Sequence, residues 1–510
     1  MIVVGQIRKG AYFDSITLMR CGKEITALPG ISDAAVVMGT KSNKAILDSS
    51  GLLTSEFTGA GDTDLLIAIK AASEKTAEMG LAAVDGLLKR AVQKTGSSSE
   101  SHAVSLERAL ELLPGANLAL ISVAGRYAAD EAMRALEHGL HVMIFSDNVP
   151  LEEEVKLKKY ALKKGLLVMG PDCGTAIVNG VPLAFANVVN RGDIGIVAAA
   201  GTGLQEVSCI VSTAGAGVSQ AIGTGGREVK KEVGGIMFVE AIKALARDPN
   251  TRVILLISKP PDKEVLATIN RAIKGIRKPV ITLLIGARTE DGGPSTLEEA
   301  ALTAVAASRG ENTDSLKKQL QARDEKILKT ARGEAVKRVK NQKYVRGLFS
   351  GGTFCAEAQV LFSDMISDVY SNAPAGASKP LKNALKSQKN SVIDLGEDEF
   401  TVGRPHPMID YSLRNRRILQ EAADPETAVI LLDVVLGHGS HPDPAAELSP
   451  IIREVSKKVA VVCSVTGTDQ DPQNRSEVEK RLKKAGAIIM PTNAAACKLA
   501  GSIIQYRGKK

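Results

Sequence analysis

The sequence predicts an α/β protein made of several parallel-sheet modules. Short apolar strands alternate with helical stretches along nearly all of its 510 residues. Aromatic residues make up only 3% and tryptophan is absent, so the cores must be built from Val, Ile, Leu, Ala and Gly, as in parallel strands covered by helices on both faces. Strands also stop repeatedly at glycine-rich turns that open into helices, as at Gly201-Thr202-Gly203 and Gly351-Gly352-Thr353. The length is too great for one core, and roughly three or four domains are expected.

The first segment, residues 1–96, is predicted as a small α/β domain with strands at Ile2–Val4, Ala34–Met38 and Asp64–Ile69 and a helix over Ala77–Val92. The serine-rich run Thr95–His102 marks a linker. Residues 115–190 then read as βαβαβ. Strands fall at Leu118–Val123, His141–Phe145 and Leu167–Met169, separated by helices at Ala128–His138 and Leu151–Lys164, the pattern of a parallel sheet with right-handed crossovers. A third unit, 191–310, places strands at Ile194–Ala199, Val218–Ile222, Val253–Ile257 and Val280–Leu284. Residues 311–342 combine dense Lys and Arg with helical spacing and few large apolar residues, which predicts a solvated connecting helix. The last unit, 343–510, opens with a strand at Val345–Phe349 and a helix at Cys355–Phe362. It continues through strands at Val392–Leu395, Ala428–Val434, Val459–Ser464 and Ala487–Pro491. The polar stretch Ser371–Asn390 reads as a mobile excursion. The third and fourth units thus read as two flavodoxin-like modules whose facing strand ends would set four helix N-termini around one cleft.

Composition narrows the function classes. The formal charge of +8 gathers largely between Lys317 and Arg346, where aromatic residues for base stacking are almost lacking, so no nucleic-acid partner is expected. Positive charge still draws in anionic substrates. No window approaches the ~20 uninterrupted apolar residues of a membrane helix, and the start lacks a signal-peptide pattern, so a cytoplasmic protein without a membrane partner is expected. The six cysteines are scattered singly, without a C-x-x-C pair, and read as reduced and mostly buried.

Several residues stand out as candidates. The strand ending at Ala200 runs through Gly201, Thr202 and Gly203 into a helix, which aims backbone N–H groups and a positive helix end at an anion. Gly351, Gly352 and Thr353 repeat that arrangement. Gly225, Gly226 and Arg227 follow another strand and add a bidentate cation. Gly437, His438 and Gly439 form a further glycine loop for phosphate or substrate. In Arg404-Pro405-His406-Pro407 two prolines stiffen a loop, so Arg404 is a candidate to hold a carboxylate or phosphate and His406 to polarise a carbonyl or move a proton. Asp433 ends a buried strand and is a candidate base or a helix cap. His438 and His441 have only Asp443 near them in sequence, so no metal is assigned. Cys173 is read as a packing residue, because no base for a thiolate is identifiable.

These residues carry a resemblance. Asp130–Ile177, with Gly170-Pro171-Asp172-Cys173, is similar to the second half of the CoA-binding domain of succinyl-CoA synthetase α-subunits. Gly192–Glu206 and Ala221–Val229 resemble the start of that subunit's second domain, and Val392–Asp410 and Ile430–Leu448 resemble the carboxy-terminal β-subunit domain in the version found in FdrA proteins. The likeness covers about residues 115–500. It implies a partial Rossmann-like CoA-binding domain followed by two flavodoxin-like, succinyl-CoA-synthetase-type domains. The chain departs from the ligases at three places. A CoA-gripping glycine fingerprint is missing from the first segment, no histidine lies between His141 and His406, and no ATP-grasp domain or P-loop is present. The resemblance therefore assigns no certain cofactor and leaves CoA open. It implies the large subunit of an oxamate carbamoyltransferase in allantoin catabolism, working on an acyl or carbamoyl phosphate with other protein subunits and self-association. A succinyl-CoA-ligase-like acyl-CoA synthetase that needs partner subunits, and a non-catalytic anion-sensing scaffold, are the alternatives.

Overall fold

The computed structural model describes all residues except 1, 12, 14, 41, 42, 45, 46, 49, 96–102, 104, 288–292, 402–404, 509 and 510. They form two compact units, Met1–Leu113 with Asp398–His406, and Pro114–Glu397 with Pro407–Lys510.

In the first unit β1 (Ile2–Arg8), β2 (Ile31–Met38) and β3 (Leu65–Ala71) make an antiparallel sheet in the order β1-β3-β2. The central strand is apolar throughout because both of its faces are covered, and alternate residues serve each face. Ile67 and Ile69 pack with Leu18, Ile25 and Val84, from the helices Ser15–Thr26 and Glu74–Thr95. Leu66 and Ala68 pack with Leu47, Leu52 and Phe57.

The second unit holds three sheets. β4 (Leu118–Ile121), β5 (His141–Ile144) and β6 (Val168–Met169) are parallel, in the order β4-β5-β6. The helix Leu151–Lys164 between β5 and β6 starts on Glu152, Glu153 and Glu154, ends on Lys163 and Lys164, and stops at left-handed Gly165, charges and cap that suit its dipole.

The next sheet combines β7 (Thr175–Val178), β8 (Val181–Ala184), β9 (Arg191–Ala198), β10 (Val218–Gly223), β11 (Val253–Ser258) and β12 (Val280–Leu284) in the order β12-β11-β9-β10-β7-β8. β9 to β12 are parallel, whereas the β7-β8 hairpin joins antiparallel at the edge. The hairpin thus crosses the boundary expected at residue 190 and completes the sheet of the following module.

The last sheet is parallel throughout: β13 (Tyr344–Phe349), β14 (Val369–Ser371), β15 (Lys379–Pro380), β16 (Asn390–Asp394), β17 (Thr427–Val435), β18 (Ala460–Thr466) and β19 (Ile488–Met490), in the order β15-β14-β16-β13-β17-β18-β19. In both larger sheets the first strand of the module, β9 or β13, lies inside. The next long strand pairs on one side of it and the later strands on the other. That is the flavodoxin-like order, and its reversal point opens a crevice beyond the carboxyl ends of β9/β11 and of β13/β17.

Two expectations about loose segments are corrected. The stretch 371–390 is tied down, because Gln359 bonds to Ala373 O and the Ala375 N–H, and Arg417 bonds to Ala384 O and Ser387 Oγ. The connector is not simply solvated either. Its helix Asp314–Val336 buries Ile327, Ala331 and Ala335, pairs Arg323 with Glu298, and pairs Asp324 with Lys498 of the final helix. Its few apolar residues recur at four-residue spacing, which makes a narrow buried stripe.

A buried ion network ties the small parallel sheet to the larger one. Lys158 is fully buried, with Nζ 2.6 Å from Glu154 and 2.5 Å from Glu228, and Glu228 also accepts the first N–H groups of the helix Ile236–Arg247, from Met237 and Phe238. Removing the cation would leave buried Glu228 without a counter-charge and Glu154 with Arg227 alone. Lys158→Met is expected to cost about 3–5 kcal/mol, read as a lowered urea midpoint, and an unchanged midpoint would show the network to be dispensable.

Candidate active site

The crevice at the reversal points is where the two larger modules meet. Helix Gly201–Thr213 follows β9 and helix Gly352–Ser363 follows β13, and neither N-cap residue, Ala200 or Gly351, makes a side-chain capping bond. The helix starts abut. A Cβ on Gly203 would lie 2.9 Å from Thr353 Cγ2, and one on Gly351 would lie 2.9 Å from Thr202 Oγ1. Those glycines therefore let the helices approach, while Gly201 has only Thr175 Oγ1 nearby, at 3.9 Å. Paired helix N-termini of this kind offer N–H donors and positive dipole ends to a shared anion.

Asp433 organises the second helix start. Its Oδ1 accepts from Ser350 N at 2.8 Å and from buried Arg414 at 2.9 Å, and its Oδ2 accepts from Ser350 Oγ at 2.8 Å and Gly351 N at 2.9 Å. Both oxygens are saturated, so the structure presents Asp433 as the group that shapes the turn into Gly352 rather than as an open proton acceptor.

The other predicted residues are spread out. Arg227 pairs with Glu154 at 2.8 Å and donates to Val149 O, so its charge serves the Lys158 network. Gly225, at φ 85°, comes so close to Pro171 that a Cβ would lie 2.3 Å from its carbonyl oxygen, whereas Gly226 has open space. Gly437 and Gly439 dock on Phe185 and Ala186, where a Cβ would lie 2.6 to 2.8 Å from them. His438 is exposed beside them and its N–H bonds to Ala186 O. His406 is partly exposed and belongs to the first unit; Arg404 lies outside the described residues. Asp443 caps the helix Pro444–Val455 and pairs with Arg481. Cys173 bonds to Gly223 O, and burial pushes its thiol up to about 12.

Residue-by-residue reading of the sequence assigns no role to four groups. Gly201-Thr202-x-x-x-Glu206 and Gly352-Thr353-x-x-x-Glu357 are the same spacing in the two modules, and that repeat was a readable signal. Glu206 accepts the Asn493 N–H at 3.0 Å and a bond from Thr466 Oγ1, at the start of helix Asn493–Gly508. Glu357 accepts the Leu297 N–H at 2.7 Å, at the start of helix Leu297–Arg309, and the Asn493 side-chain amide at 2.8 Å. Each module thus caps the last helix of the other. Burial pushes the Glu357 carboxyl up to about 7, and burial also raises Glu206. The other two groups are Asp394, at the end of β16, and Lys259, just past β11. Asp394 is buried, and a Cβ on Gly352 would lie 2.6 Å from its Oδ2. Lys259 is exposed and makes no ion pair among the described residues.

Comparison with known proteins shows what the chain is similar to. Residues 348–503 match the CoA-ligase family, and residues 1–104 match the family described as AllF, heavy metal-associated domain. The latter description does not fit a soft-metal site here. Cys21 is the only cysteine before residue 113, it is buried in a helix, and burial pushes its thiol up to about 11; among the described residues no three His, Cys, Asp or Glu converge. The uncharacterized protein YahF of Escherichia coli K12 is 40% identical over 98% of both chains. The α-subunit of the ADP-forming succinate–CoA ligase of Aquifex aeolicus is 30% identical over 35% of this chain and 59% of its own length. The ADP-forming sulfoacetate–CoA ligase subunit SauD of Bilophila wadsworthia is 26% identical over 35% of this chain and 62% of its own. The chain thus spans about three fifths of these ligase subunits. The dinucleotide-forming acetyl-CoA synthetase 1 of Ca. Korarchaeum cryptofilum, solved with phosphate and ADP, overlaps 77% of this chain and 83% of its own at 16% identity, with a TM-score of 0.29.

The cross-capping yields a pH-dependent expectation. Glu357 titrates near 7 when folded, above its unfolded value, so its contribution is fully present only at low pH and is lost as pH climbs through 7. Glu357→Gln should therefore gain stability relative to the natural protein between pH 6 and pH 8. Urea unfolding at both values checks this, and a pH-independent difference would contradict it. The full-length relative and the CoA-ligase match show that the chain belongs to the FdrA family of CoA-ligase-like proteins, in the succinyl-CoA synthetase superfamily.

Proposed function

We propose that this chain is the large subunit of a carbamoyltransferase that moves a carbamoyl group between phosphate and oxamate, within allantoin catabolism. The observation that carries the reading is the meeting of two uncapped helix starts, Gly201 and Gly352, at the crevice of two parallel sheets. Carbamoyl phosphate is an acyl phosphate, and N–H donors fixed around its phosphate stabilise charge as the acyl group moves. Thr202 and Thr353 stand in the first turns of those helices, and Lys259 supplies a cation at the same strand ends. The AllF description of the amino-terminal family supports the same setting. Partner subunits fit a family whose ligase relatives are themselves named as subunits.

The match of residues 348–503 to the CoA-ligase family favours a second reading, an acyl-CoA synthetase completed by partner subunits. Among the described residues the sheet β4-β5-β6 supplies three strands to a CoA-binding domain, which favours the first reading over it.

Thermal unfolding separates the two, because a ligand of the folded state at 100 times its Kd adds about 2.7 kcal/mol. At matched ionic strength, carbamoyl phosphate and oxamate are expected to raise the melting temperature and CoA to leave it unchanged. Stabilisation by CoA alone would sink the carbamoyltransferase and promote the synthetase.

A further inference from the structure

Asp394 is a buried carboxyl that makes no ion pair among the described residues. It is 3% exposed at the carboxyl end of β16, next to β13 in the sheet. Its Oδ1 accepts the Gly396 N–H at 2.9 Å, while Oδ2 has no hydrogen bond among the described residues. That oxygen points to the first residue of helix Gly352–Ser363, where it would lie 2.6 Å from a Cβ on Gly352. Gly352 is itself partly exposed, so the oxygen sits at the lip of the crevice. Carboxyls this deep are normally paired or fully bonded, and this one has an oxygen without a hydrogen bond beside first-turn helix N–H groups that likewise have none among the described residues.

Several charged or titratable groups act on Asp394. They are Glu397 in its own loop, Asp433 on β17, Cys355 on the facing helix and Lys259 beyond β11. Burial and then Glu397 push its carboxyl up to about 7, against the pull of the Gly396 N–H and Lys259, with Asp433 adding to the rise. It can therefore both give and take a proton near neutrality.

We propose that Asp394 is the proton carrier of this site, exchanging its proton with the oxyanion or nitrogen held at the Gly352 helix start, while Lys259 holds an anionic oxygen of the same ligand from the other sheet. The assignment rests on the acyl-phosphate reading above. In carbamoyl transfer from N-carbamoyl oxamate to phosphate, an oxygen of monohydrogen phosphate attacks the carbamoyl carbon. A C–O bond forms and the C–N bond breaks. The leaving nitrogen takes the Asp394 proton to give oxamate, and the proton of the phosphate restores the carboxyl. The reverse reaction runs the same exchange backwards.

The test is calorimetric titration of the full chain with sulfate, which does not itself titrate near neutrality, and with carbamoyl phosphate, between pH 6 and pH 9. Natural protein should bind sulfate about tenfold more weakly for each pH unit above 7, because only the protonated fraction is competent. Asp394→Asn should abolish that slope while retaining binding, and Lys259→Ala should weaken binding roughly tenfold at every pH. The melting temperature of each variant shows that it is folded. A slope that survives in Asp394→Asn, or is absent from the natural protein, overturns the proton assignment and leaves the anion site standing. Failure of the natural protein to bind sulfate or carbamoyl phosphate overturns the functional reading and this proposal with it.

Discussion

Glu206 and Glu357 each hold the start of a helix in the other module, and that exchange fixes where the two helix N-termini meet. Glu206 takes the Asn493 N–H, Glu357 takes the Leu297 N–H, and the Asn493 side chain links the second carboxyl to the first. The first N–H groups of a helix have no partner within it. Bare, each buried donor would cost about 1–3 kcal/mol, so neither module is satisfied without its neighbour. The docking is extended by Asp471, which accepts from Asn187 and Val188 of the preceding module.

With the modules locked, each helix start is left with its axial end open. Ala200 cannot cap, and Gly351 is held by Asp433 so that the chain turns into Gly352 without a side chain in the way. Asp433 in turn depends on Arg414, which is fully buried and bonds to its carboxylate. Those buried polar groups are thus spent on geometry, while Asp394 Oδ2 and the Lys259 ammonium, which make no hydrogen bond or ion pair among the described residues, stand at the mouth of the crevice.

The parallel modules were legible because parallel strands buried on both faces read as continuous apolar runs, as Val253–Ser258 does, and because strand–glycine–helix junctions are local. The helix-start candidates Gly201, Thr202, Gly352 and Thr353 were legible for the same reason, although their meeting depends on the distant bonds of Glu206 and Glu357. Arg227 and Gly437 looked alike in sequence, yet their loops are consumed by Glu154 and by Ala186, partners distant along the chain. Asp394 lay in an apolar run with nothing local to mark it, because burial and the approach of Lys259 are long-range facts. The hairpin Thr175–Ala184 escaped its module for a similar reason, since only pairing of Ile177 with Ala221 shows which sheet it joins.

In the proposed function the facing starts of Gly201–Thr213 and Gly352–Ser363 form one oxyanion site. The most direct measurement is a crystal structure of the full chain soaked with tungstate, a heavy tetrahedral oxyanion whose position is read from anomalous scattering. A tungstate is expected between Gly201 and Gly352, within hydrogen-bond reach of the first-turn N–H groups of both helices. Tungstate bound at the Gly225–Arg227 turn or the Gly437–Gly439 loop, with none between the helix starts, would contradict it.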